Sequence, residues 1–144
     1  MAKIESHRDL IVWQKAMDLA VLVYELTKRF PAHETYRLVA QLTRAAASVP
    51  ANIAEGHARS SRRDFANFLA IAKGSLMETE TFVMLAARLG YVTKDEAAPL
   101  LSLITEISKM LTALRARLTK WRFLGFLPVT CPLCPVTFYQ AAAS

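Results

Sequence analysis

The chain of 144 residues has only four glycines and two cysteines, and no acidic residue follows Glu106. Scarce glycine together with 53% hydrophobic content excludes a wholly disordered chain. Cys131 and Cys134 both fall in the last fourteen residues, so no disulfide framework holds the fold and nothing demands an oxidising compartment. The N-terminus, MAKIESHRDL, lacks the apolar core of a signal peptide, which makes the cytoplasm the expected location. Catalytic signatures are missing as well: HExxH, GxxxxGK and GxSxG do not occur. The paired ExxH that a di-iron site in a bundle needs is also absent. The expectation is therefore no enzyme, no cofactor and no metal. CPLC at 131–134 has the spacing of half a zinc site, but a structural site needs four ligands and no second pair exists. A site shared between subunits stands against the plainer reading of inert thiols.

What is present is basic and helical. The net charge is +6, yet residues 1–106 carry 13 basic and 12 acidic side chains, a net of +1. Residues 107–144 add Lys109, Arg115, Arg117, Lys120 and Arg122 without an acid, a net of +5. The excess is thus a C-terminal feature, which permits nucleic-acid binding without demonstrating it.

Spacing predicts four helices. The first runs from Asp9 to Arg29, with Asp9 as cap or first-turn acid. Leu10, Trp13, Met17, Ala20 and Tyr24 form one apolar series, and Val12, Ala16, Leu19, Val23, Leu26 and Phe30 another on a different side. A helix so apolar touches more than one neighbour, which points to a subunit interface. The second helix starts near Glu34, is kinked by Pro50 and ends at Gly56 as C-cap. The third begins after Ser61, which with Asp64 resembles a capping box, and ends at Gly90. Thr93 caps the fourth, where Ala97, Leu100, Ile104, Ile107, Leu111, Leu114 and Leu118 recur at heptad spacing. Short connections make neighbours antiparallel. The fold class is all-α: an up-down-up-down four-helix bundle over residues 9–120, after an N-terminal extension of residues 1–8 and before a tail of residues 121–144.

Two polar groupings stand out. Arg44, Ser48, Asn52 and Glu55 share one face of helix two, and Ser75 and Glu78 would oppose them from helix three. Together they suggest a buried polar layer that fixes register, rather than a nucleophile and base. Arg59, Arg62 and Arg63 flank the entry to helix three, where free amides and the helix dipole already favour anions. Phosphate capture and a merely solvated corner are the competing readings. Lys120 and Arg122 extend the candidate surface. Beyond them, Phe123 to Ser144 is uncharged and holds Pro128, Pro132 and Pro135. These prolines argue against a membrane span and for a strap packed on the bundle or on a neighbouring subunit.

The run RAAASVPANIAEGHARSSRRDFANFLAIAKGSLMETE, with DLIVWQKAMDLA before it and LGYV after it, resembles a known family. These are the four-helix-bundle proteins encoded in intervening sequences of bacterial large-subunit ribosomal RNA genes, a family that includes the accessory variability proteins of diversity-generating retroelements. The resemblance covers Asp9 to Leu118 and leaves the tail unplaced. It implies a homopentamer around a central channel with a basic surface. For retroelement members it also implies binding to a reverse transcriptase and to RNA or DNA. No member is known as an enzyme. On this basis Asn52 and Glu55 would hold the kinked helix end, while Arg59, Arg62 and Arg63 project as phosphate contacts. The alternative is a structural module whose partners are proteins only.

Overall fold

A computed structural model of the protein describes residues 5–120. Arg122, Cys131, Cys134 and the tail therefore lie outside the described residues. Four long helices make up the described chain, with no strand among its residues: α1 Ile11–Thr27, α2 Ala40–Ala58, α3 Arg62–Arg88 and α4 Lys94–Thr119. A 3-10 turn, His7–Asp9, precedes α1, and a 3-10 turn followed by a π-helical turn, Thr35–Val39, leads into α2.

Local chemistry sets the boundaries. Thr93 and Glu96 form a complete capping box at the start of α4. Ser61 accepts the Asp64 N–H at 3.0 Å, but its hydroxyl donates to the Asp64 carboxylate, so the reciprocal half of that box is not made. Asp9 is not the cap of α1. Its carboxylate accepts the backbone N–H groups of Ser6 and Glu5, closing a box around the preceding turn. Those two bonds hold its pKa below the usual carboxylate value. Gly90 ends α3 with φ +77, a conformation that favours glycine.

The core follows the helical stripes. Leu19, Val23, Leu42, Val49, Ile53, Leu76, Val83, Ile104 and Ile107 are fully buried. The heptad of α4 is inside through Leu111, with Leu114 and Leu118 half-buried. By length and composition α4 could cross a membrane, but that stripe packs into the bundle core.

Contacts between helices define two ends. At one, Arg29 pairs with Glu96, and the Tyr91 hydroxyl donates to Glu34 at 3.2 Å. Burial, and then the bond to Glu34, raise the Tyr91 pKa above the usual phenol value. Glu34 also accepts the Leu38 N–H and so anchors the π-helical turn. At the other end the His57 ring lies 6.4 Å from that of His7 and 5.7 Å from Phe65. His57 is half-buried there, not simply solvated.

Gly56 departs from the sequence reading. It sits inside α2, buried, and is no cap. Its lack of a side chain lets α3 approach: a Cβ there would lie 2.5 Å from the Phe68 Cβ. The helix continues through Pro50 to Ala58.

Candidate functional site

The chain turns from α2 into α3 at Arg59, whose extended backbone ends the helix. Its guanidinium is committed locally. It pairs with Glu55 one turn back and lies 5.1 Å from the centre of the Phe68 ring. Arg62 and Arg63 follow in the first turn of α3. They line a cleft of about 490 Å³ with Ala66 and Asn67 of the same helix and Arg115, Leu118 and Thr119 of α4. No acid lines it. Arg63 and Arg115 have no ion-pair partner among the described residues.

The cleft joins two basic features that the sequence presents separately. Arg115 lies in the acid-free C-terminal segment, 52 residues after Arg63. The other members of that segment do not follow it. Arg117 is about 200° and Lys109 about 240° further round α4, and so point elsewhere. Lys120 is exposed at the C-cap, beyond the lining residues. Three donors of guanidinium type around one recess can each grip an oxyanion by two parallel N–H bonds. The α3 N-terminus adds its dipole, although the Asp64 carboxylate already occupies part of that field.

The second grouping is not a buried layer within the chain. Arg44, Glu55 and Glu78 are exposed, while Ser48, Asn52 and Ser75 are half-buried. Their bonds are local: Ser48 Oγ donates to the Arg44 carbonyl, Asn52 Nδ2 to the Ser48 carbonyl at 2.7 Å, and Thr79 Oγ1 to the Ser75 carbonyl. The six residues share a side of the α2/α3 pair without bonding across it. Small residues bring these helices together instead, as Ala45, Gly56 and Ala72 are buried. Asn52 does support the segment around Pro50, by a side-chain bond one turn back.

The first helix shows a related shift. Val12, Ala16, Leu19, Val23, Leu26 and Phe30 all face the bundle core. Of the other series, Leu10 and Ala20 are buried and Trp13 half-buried, leaving Met17 and Tyr24 exposed. Ile11, Val21 and Leu22, which neither series contained, are exposed too, Val21 at 58%. An outward apolar strip on α1 is therefore real, but its members differ from those that periodicity suggested.

Fold and cleft together define a small four-helix protein whose charged recess at one end is cationic. The chain belongs to the 23S rRNA-intervening sequence protein family, which it matches over residues 8–113. It is similar to the crystal structure of a protein of unknown function from the S23 ribosomal protein family of Bacteroides thetaiotaomicron. That similarity has a TM-score of 0.68 and 32% identity, covering 73% of this chain and 98% of the other. No curated protein matches the chain.

Proposed function

We propose that the protein is a non-enzymatic oligomer that binds nucleic acid through phosphate. One observation carries this reading: Arg62, Arg63 and Arg115 converge from two helices on a cleft without an acid. Contacts of this kind position a nucleic acid without reading its sequence. The bundle in this reading is up-down-up-down, as the end-to-end pairs Arg29–Glu96 and His7–His57 support, and α2 bends near Pro50. The exposed Met17, Val21 and Tyr24 supply the interface of a ring, with five subunits on the family resemblance. A ring repeats the cationic cleft around its axis and so multiplies a weak local attraction. The retroelement form of this reading adds a reverse transcriptase as partner and requires such a gene beside this one.

Fluorescence anisotropy with a short RNA hairpin and a DNA duplex, across a salt series, tests the proposal. Affinity is expected to fall steeply with salt and to vary little with sequence. The double variant Arg63→Ala/Arg115→Ala is expected to lower the log–log salt slope by about 1 to 2 per bound chain, one for each phosphate that is no longer neutralised. A wild-type oligomer that binds neither ligand at low salt would favour a protein-only assembly module. Equal binding by the double variant would move the binding surface away from the cleft.

A further inference from the structure

The cationic cleft does not end at Thr119. It shares Arg115 and Thr119 with a second recess of about 410 Å³ between α3 and α4. The floor of this groove is apolar: Leu69, Met77, Leu111 and Ala116. Gly74 opens its α3 wall, where a Cβ would meet no atom within 4 Å. Lys73 reaches Thr112 at 2.9 Å and closes its far side. An apolar recess this size on a small protein needs an occupant.

We propose that the groove holds the protein's own C-terminal segment, residues 123–144. Three observations select it. The described chain ends at Lys120, one residue after Thr119, so the segment starts where the groove starts. It carries no charge but holds Phe123, Leu124, Phe126, Leu127, Leu133 and Phe138, side chains that water penalises and that Leu69, Met77 and Leu111 can cover. Its length is ample. Thr119 to Leu111 is about 12 Å of helix, while ten extended residues span about 33 Å. The segment also lies beyond the family match, which stops at residue 113, so this docking belongs to this chain and not to the shared fold.

The only two thiols in the protein, Cys131 and Cys134, report on the segment directly. The test measures how fast a small aromatic disulfide labels them in the reduced, full-length protein. The wild-type thiols are expected to react at least about tenfold more slowly than in the guanidinium-unfolded chain. Gly74→Trp fills the groove mouth and is expected to remove most of that protection. Gly74→Ala, which adds one methyl group, keeps it. Ala116→Trp repeats the block from the opposite wall, in case the first variant fails to fold, and circular dichroism checks both. Wild-type thiols labelled at the unfolded rate would overturn the proposal, as would protection that survives both tryptophans. Protection that fades on dilution would place the segment on a second copy, and protection seen only with phosphatidylcholine vesicles would place it in a membrane. Either result also overturns docking within the chain.

Discussion

Gly56 and Gly74 allow the same substitution to be made in two neighbouring helices with opposite expected results. Replacing glycine by alanine inside a helix gains about 0.5–1 kcal/mol, because the unfolded chain loses freedom and the helix gains a better former. At Gly74 nothing opposes that gain, since the new Cβ meets no atom within 4 Å. At Gly56 the new Cβ would stand 2.5 Å from Phe68 Cβ and 3.0 Å from Phe65 Cδ2. A ring can rotate away, but a Cβ is fixed to its backbone, so α3 itself has to move. Overpacking of this kind costs about 1–3 kcal/mol, and an approach this short belongs to the upper part of that range. The net expectation is a loss of about 1–2 kcal/mol for Gly56→Ala and a gain of up to about 1 kcal/mol for Gly74→Ala.

Urea unfolding at one fixed protein concentration measures both, since any oligomer makes stability concentration-dependent. With a slope of about 2 kcal/mol/M the two midpoints separate by roughly 1 M or more. Gly56→Ala should also weaken nucleic-acid binding although every arginine remains. The displaced α3 carries Arg62 and Arg63 away from Arg115. A Gly56→Ala midpoint equal to or above that of Gly74→Ala would refute the close-approach argument.

Three further outcomes are expected. Light scattering should give several times the chain mass of 16.0 kDa, and Val21→Glu, on the exposed strip of α1, should lower it without unfolding the chain, whereas Leu19→Glu should unfold it. Backbone and hydroxyl bonds from Thr93, then Arg29, hold the Glu96 pKa below its ordinary 4.5. Its stabilising charge is thus fully present above pH 4.5 and lost as pH falls through the lowered value. Glu96→Gln should therefore lower the urea midpoint near neutral pH and converge with wild type in acid. Asn52→Ala should cost about 0.5–1.5 kcal/mol, the worth of one ordinary hydrogen bond, because its partner is a carbonyl of its own helix. A loss well beyond that would mean that Asn52 is buried against another subunit.

Helices, their order and most of the core were legible because periodicity is a backbone property that survives any packing. The α4 heptad and the Thr93 cap are the clearest cases. Periodicity failed where it had little contrast to work with. In α2 the candidate faces are all alanine-rich: Ala45 and Ala46 are buried while Ala47 and Ala51 are exposed. The spacing of Arg44, Ser48, Asn52 and Glu55 correctly put them on one side but could not say that the side faces outward. In α1 the same ambiguity exchanged Val21 and Leu22 for Leu10 and Ala20. Gly56 was misread for a different reason. A glycine two residues before a helix end looks like a cap, and the requirement it meets comes from Phe68 on another helix.

The cationic cleft shows the limit most plainly, because closeness in sequence misjudged its membership in both directions. Arg59 stands beside Arg62 in the chain but is turned back by Glu55 and Phe68, so its charge is largely spent before any ligand arrives. Arg115 is remote in sequence, yet α4 returns to the end of the bundle where α3 begins. Had the helix order been combined with the charge pattern, that return could have been foreseen: antiparallel neighbours bring the last turn of one against the first turn of the next. It also selects among the C-terminal cations, since only the one in phase with the α3 side can join Arg62 and Arg63. Arg115 and Arg117 therefore make a matched test. Each loses one positive charge on conversion to alanine, so a bulk electrostatic attraction would respond equally to both. A cleft that grips phosphate directly would respond to Arg115→Ala and leave Arg117→Ala close to wild type.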